Sequence, residues 1–334
     1  MGHVNRREFL IATGSLASCV VVAGGSAVYA AKPFRIALLP SLPPVRRQQF
    51  IDGLRDQGWS LNQDFTLVEA SAADGRKMEA DAQHIVAEKP DLIVVTYDSY
   101  AAAAHRLTKT IPIVLWVGGY PVEIGVASSL SRPGKNVTGN ANYAGTGVWG
   151  KLLELLRELK PGIERAGVLI DYVPPAFDRD VLLAVNDALR RDARALDLTI
   201  EIVEVSKAEQ VESALEEVYA KQAEGLLVTA GPNISPVRSR VVEFAIEKRL
   251  PLISDATWIQ IDRQPVLTYA GSLPALMRQA ASYVVRILKD GAKPGDLPIQ
   301  RPSKFQLVVD LRTAQAMGLT IPPSILLRAD QVIE

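Results

Sequence analysis

From Phe34 onward the chain alternates short, continuous apolar runs with amphipathic stretches. Residues 34–39 (FRIALL) read as a buried strand, and residues 45–57 as a helix that carries Phe50 and Leu54 on one face and stops at Gly58. The pattern continues with a strand at 64–69, a helix at 76–88, a strand at 91–96 (DLIVVT), an alanine-rich helix at 99–108 and a strand at 111–117 (IPIVLWV). Strands that are apolar without alternation are buried on both faces, so this half predicts a parallel sheet with helices on either side.

After Pro161-Gly162 the pattern starts again, with strands at 165–170, 198–205, 225–229 and 250–254 and helices at 178–196, 207–222 and 236–248. DLIVVT and EGLLVT, like IPIVLW and LPLISD, occupy corresponding places in the two halves. The expected fold class is therefore α/β, with two similar doubly wound parallel-sheet lobes joined by a hinge. Ligands of such sheets bind outside the carboxyl ends of the strands.

The first thirty residues differ. Asn5-Arg-Arg-Glu-Phe-Leu10 is followed by apolar and small residues, with no charge between Glu8 and Lys32. Residues 1–30 read as a signal peptide of the twin-arginine type, with Val28 and Ala30 as the small residues before cleavage. Leu16-Ala-Ser-Cys19 also has the form of a lipobox, so lipid anchoring at Cys19, the chain's one cysteine, stays open. Cleavage after Ala30 leaves a periplasmic protein with neither disulfides nor a thiolate. The 37 Lys and Arg residues balance the 37 Asp and Glu residues without a like-charged block, which argues against a nucleic-acid partner.

Gly145-Thr-Gly-Val-Trp-Gly150 spells the dinucleotide-binding pattern G-x-G-x-x-G, and Asp171 stands where that fingerprint wants an acidic residue. The preceding segment, 136–143, is too polar to read as the buried strand the fingerprint requires. The motif also falls between the two repeats. An exported NAD(P)-dependent oxidoreductase using GTGVWG is the alternative function; otherwise the glycines start a helix at 151–160. His84 and His105 both fall inside predicted helices, and no metal-ligating or hydrolase signature occurs. Asp98, Asp171 and Asp255 each end a strand run, where acid–base work and plain loop capping are both open. No cofactor and no metal are expected, and no enzyme activity on the leading reading.

Several segments resemble one solute-binding family of ABC transporters, the tryptophan and tyrosine type. They are Ile111-Pro-Ile-Val114, Gly118-Gly119, Pro121-Val-Glu-Ile-Gly125, Ser129-Leu-Ser-Arg-Pro-Gly134 and Asn136-Val-Thr-Gly139. Toward the end come Arg286-Ile-Leu-Lys-Asp-Gly291, Pro302-Ser-Lys-Phe305 and the run from Ala314 to Ser324. The resemblance implies a type I periplasmic-binding fold, with residues 32–141 and about 271–298 in one lobe and 142–270 and about 299–334 in the other. It implies a monomer that delivers a small ligand to a membrane permease and its ATPase; a receptor feeding a sensor kinase would look the same. Ligand contacts are then expected at Ser41, at Tyr97, Asp98 and Ser99, at Gly118 and Gly119, and across the cleft at Asp171, Gly231 and Asp255, with Asn142 and Tyr269 at lobe crossings. Many relatives carry a small glycine-rich loop where this chain has Tyr97-Asp98-Ser99-Tyr100, and Tyr120 replaces their usual Asp. Ser99 at a helix N-terminus suits a carboxylate. Tyr97, Trp258 or Tyr269 can stack on an apolar ligand body, and an aspartate can pair with an ammonium. The expected ligand is an amino acid, aromatic or not, or an aromatic acid.

Overall fold

Each continuous apolar run becomes a strand, in a computed structural model that describes residues 32–69, 78–141, 147–172, 179–256 and 262–334. The expectations for residues 1–30, Cys19, Asn142, Gly145 and Trp258 lie outside these residues. Strand β1 (Phe34–Leu39) pairs in parallel with β2 (Phe65–Glu69) and β3 (Leu92–Val95). β4 (Ile113–Gly118) and β5 (Val137–Ala141) extend the sheet in the all-parallel order β2-β1-β3-β4-β5. Helix α1 (Pro44–Arg55) buries Phe50 and Leu54 against Ile36, Leu38 and Val94 on one face. Helices α2 (Met78–Ala87) and α3 (Asp98–Leu107) bury Ile85 and the alanine run 101–104 against Ala37, Ile93 and Leu115 on the other.

The second half begins with α4 (Gly147–Leu159) and builds a second sheet from β6 (Arg165–Asp171), β7 (Thr199–Val205), β8 (Leu226–Val228) and β9 (Leu252–Ser254). Helices α5 (Arg179–Ala195), α6 (Val211–Ala220) and α7 (Arg238–Glu247) pack on it. Strand β10 (Leu267–Gly271) continues this sheet, yet the helix that follows it, α8 (Leu273–Leu288), packs with α1 on the first. Strands β11 (Phe305–Asp310) and β12 (Gln331–Ile333), with α9 (Leu311–Met317) and α10 (Pro323–Leu326) between them, complete the order β12-β11-β10-β9-β8-β6-β7. The two lobes are therefore less alike than the repeats suggest. β11 runs antiparallel to β10, because the chain re-enters beside β10 from the end at which that strand left.

The polar segment 136–143 also differs from its reading. Its residues Val137–Ala141 form β5, and all five are buried. Each described polar side chain of the segment meets a carbonyl: Asn136 Nδ2 donates to Ile111 O (2.7 Å), Thr138 Oγ1 to Leu297 O (2.8 Å), and Asn140 Nδ2 to both Trp116 O and Leu276 O (2.9 Å each). Buried polar groups with partners cost little, so a strand can be polar and central together. Gly139 is fixed by contact, because a Cβ there would lie 2.2 Å from Leu115 O, and its φ is +125°.

The chain crosses from the first sheet to the second after β5 and returns between β10 and α8. It crosses again after Gln300, which exchanges backbone hydrogen bonds with Gly139 and Ala141 before β11 starts. The carboxyl ends of the parallel strands of both sheets converge on one cavity.

Candidate functional site

The cavity has a volume of about 190 Å³. A water needs roughly 10–15 Å³ on the same measure, so the space suits a small organic molecule. Its walls are largely apolar, with Val117 and Leu273 from the first lobe and Val148, Trp149, Ile170 and Phe305 from the second. The polar groups come from strand ends: Tyr97, Asp98 and Ser99 after β3, Gly118 and Gly119 at the end of β4, Asp171 at the end of β6, Gly231 after β8 and Asp255 after β9.

Of the residues singled out from the sequence, these eight are brought together. Ser41 is half-buried just past β1 and is not part of the lining. Tyr269 is also outside the lining, but its ring stacks on Phe305 at 5.3 Å and so backs the cavity wall. Trp149 and Phe305 line the cavity without having been expected as ligand contacts, and Tyr120, where relatives carry an Asp, lines it too. A large aromatic beside a glycine cluster was the available signal for Trp149.

The three aspartates share a location and differ in what holds them. Asp171 accepts from Asn233 N, Ile234 N and Asn233 Nδ2, each at 2.8 Å, so both its oxygens organise the loop after β8. Gly231 makes room for this carboxylate, since a Cβ there would stand 2.3 Å from Asp171 Cγ. Asp255 accepts from Ala230 N (2.8 Å) and, more weakly, from Trp149 Nε1 (3.3 Å), fixing the indole against the cavity. Asp98 accepts from Gly119 N (2.6 Å) and Tyr120 N (3.0 Å), both at Oδ2. Its Oδ1 is buried and has no hydrogen-bond partner among the described residues. Burial, the leading cause in each case, raises all three carboxyls from an ordinary 3.8 to about 6; the hydrogen bonds each accepts pull the other way.

Ser99 stands in the first turn of α3, 5% exposed, and its Oγ also lacks a partner among the described residues. A hydroxyl and a helix N-terminus side by side favour an anionic oxygen, while Asp98 Oδ1 next door favours a cation. Tyr97 Oη reaches across to Ser235 Oγ at 3.4 Å, between the two lobes.

The described part of GTGVWG, residues 147–150, gives no support to a dinucleotide cradle. Helix α4 starts inside it at Gly147, and Gly150 lies against Asp192, where a Cβ would sit 2.9 Å from the carboxylate. The flanking strands β5 and β6 belong to different sheets, so the motif opens no βαβ unit. Asp171, the residue meant for a ribose, is occupied by its own loop. Among the described residues no group of His, Cys, Asp or Glu side chains is arranged to hold a metal ion, and no helix is long and apolar enough to cross a membrane.

The sequence model of a family described as ABC transporter substrate binding protein matches residues 40–333. A tyrosine-binding protein of Clostridioides difficile (strain R20291) is 25% identical over 292 residues, which cover 84% of this chain and 78% of the relative. The crystal structure of a conserved domain protein from Vibrio cholerae O1 biovar El Tor strain N16961 superposes with a TM-score of 0.76 at 25% identity, covering 89% of this chain and 98% of that one. An ABC domain from Streptococcus pneumoniae, solved in complex with L-Trp, shares the fold at a TM-score of 0.77 and 23% identity, covering 90% and 100%.

Proposed function

Because the chain belongs to the family of ABC transporter substrate binding proteins, we propose that it is the solute receptor of an ABC importer and takes a small carboxylate, an amino acid, aromatic or not, in the cavity between its lobes. The observation that carries this reading is the adjacent pair of a buried acceptor and donor, Asp98 Oδ1 and Ser99 Oγ, with no partner among the described residues, in an apolar-walled space. An α-ammonium completes the first, and an α-carboxylate completes the second together with the N-terminus of α3. The Trp149 and Phe305 walls suit an aromatic or aliphatic side chain. The names of the relatives, a tyrosine-binding protein and a domain holding L-Trp, point the same way.

The mechanism is a population shift. A ligand that touches both lobes stabilises the closed arrangement, which a membrane permease and its ATPase then recognise, and no bond is made or broken. The moving bodies are residues 32–141 with about 271–298 and residues 142–270 with about 299–334, swinging on the crossings described above. The receptor works as a monomer in the periplasm, exported by residues 1–30 or tethered through Cys19.

A thermal-shift screen of ligand-stripped protein against amino acids, aromatic acids, NAD and NADP tests the reading. A ligand at 100 times its Kd stabilises by about 2.7 kcal/mol, a rise of several degrees. Stabilisation by one amino-acid class supports the receptor; a response to NAD or NADP alone defeats it.

A further inference from the structure

The charges in the cavity do not balance. Among the described residues its lining carries three carboxylates, Asp98 from the first lobe and Asp171 and Asp255 from the second, and no lysine, arginine or histidine. Two arginines, Arg46 and Arg238, act on the phenol of Tyr97, but neither lines the cavity. Burial raises all three carboxyls to about 6, and the charges that act on two of them are again negative, Glu123 on Asp98 and Asp255 on Asp171. At neutral pH the three are therefore mostly ionised, in a space that takes them out of water without supplying a cation.

Hydrogen bonds quench them unequally. Asp171 is engaged by its own loop through three bonds of 2.8 Å. Asp255 accepts one bond of that length, from Ala230 N, a longer one of 3.3 Å from Trp149 Nε1, and its own N–H. A carboxylate offers about four acceptor positions, so Asp255 keeps room for a strong donor, as Asp98 does at Oδ1. Ser99 marks the same space as a ligand site independently: it is 5% exposed, it lines the cavity, and its Oγ has no partner among the described residues. The remaining walls include four aromatic rings, Tyr97, Tyr120, Trp149 and Phe305, and an aromatic face attracts a cation. The indole of Trp149 is held by Asp255 itself, so a cation brought to that carboxylate meets the ring as well.

A neutral amino acid brings one ammonium and one carboxylate and leaves the net charge of the cavity as it was. A second cation on the ligand reduces it, and the methylenes that carry such a group pack on apolar walls. We propose that this receptor takes amino acids with a cationic side chain, the α-ammonium pairing with Asp98 of the first lobe and the side-chain cation with Asp255 and Trp149 of the second. The assignment rests on the receptor reading above and adds to it the charge of the ligand. It also gives each lobe its own cation to hold, so that one molecule draws the two together.

The test is a thermal-shift panel of ligand-stripped protein against the twenty amino acids, followed by calorimetric titration of two matched pairs, lysine with norleucine and arginine with citrulline. Each pair differs in the side-chain charge. Wild type is expected to bind the cationic member of at least one pair 10-fold or more tightly. Asp255→Asn should weaken that ligand by roughly 10- to 100-fold while moving its neutral partner less than about 3-fold, and the retained neutral ligand shows that the variant is folded. The wild-type comparison needs no variant. If a neutral amino acid stabilises wild type best, or if the cationic preference survives in Asp255→Asn, the assignment is overturned while the receptor function stands. If no amino acid shifts the wild type, the receptor reading fails and takes the assignment with it.

Discussion

The Tyr97 hydroxyl and the Ser235 hydroxyl face each other at 3.4 Å, one just past β3 of the first sheet and the other in the turn before α7 of the second. This side-chain contact crosses from one lobe to the other beside the cavity. At that length the bond is weak, contributing no more than about 1 kcal/mol. Tyr97→Phe, which keeps the ring, should therefore change ligand affinity less than about 5-fold. Calorimetry checks this; a loss beyond 100-fold would mean that the phenol contacts the ligand itself.

Asp98 provides a pH signature. Its folded pKa, about 6, lies above its ordinary 3.8, so the folded protein binds this proton more tightly than the unfolded chain. The contribution to stability is then fully present below about pH 4 and is lost as pH rises through about 6. Asn in its place imitates the protonated form. Ligand-free Asp98→Asn should exceed wild type in stability at pH 7.5 by about 1–3 kcal/mol, with the gap closing as pH falls toward 5. Denaturant titrations of both proteins across that range would show it.

The same titration predicts the reverse for binding. An ammonium ligand needs the ionised carboxylate, so its affinity should weaken below about pH 6, with about half a proton released per ligand bound at that pH and a count rising toward one as the pH falls further. Calorimetry in buffers of different ionisation enthalpy counts that proton.

The polar strand β5 makes a stability prediction. Asn140→Ala removes two buried bonds, to the carbonyls of Trp116 and Leu276, and leaves a cavity, at a cost of about 2–4 kcal/mol. Thr138→Val removes one bond, to Leu297, and should cost about 1 kcal/mol. Gly139→Ala drives a Cβ into the Leu115 backbone and should cost about 3 kcal/mol. Chemical denaturation ranks the three.

What could be read from the sequence follows from these environments. FRIALL, DLIVVT and IPIVLWV are apolar because parallel strands are covered on both faces, so their positions and carboxyl ends were legible. The ends in turn located Tyr97, Asp98, Ser99, Gly118, Gly119, Asp171, Gly231 and Asp255 around one space. β5 was illegible because its Asn and Thr residues meet their partners in distant segments, beyond any local pattern. β11 was missed because it follows a long return through α8 and enters antiparallel.

The central claim is that an amino acid sits in the cavity with its ammonium on Asp98. The most direct measurement is calorimetric titration of wild type and Asp98→Asn at pH 7.5 with the best-stabilising amino acid and its deaminated analogue. The account predicts that wild type binds the amino acid at least about 10-fold more tightly than the analogue, and that Asp98→Asn erases the difference. Equal affinities in wild type, or a preference that survives in Asp98→Asn, would contradict it.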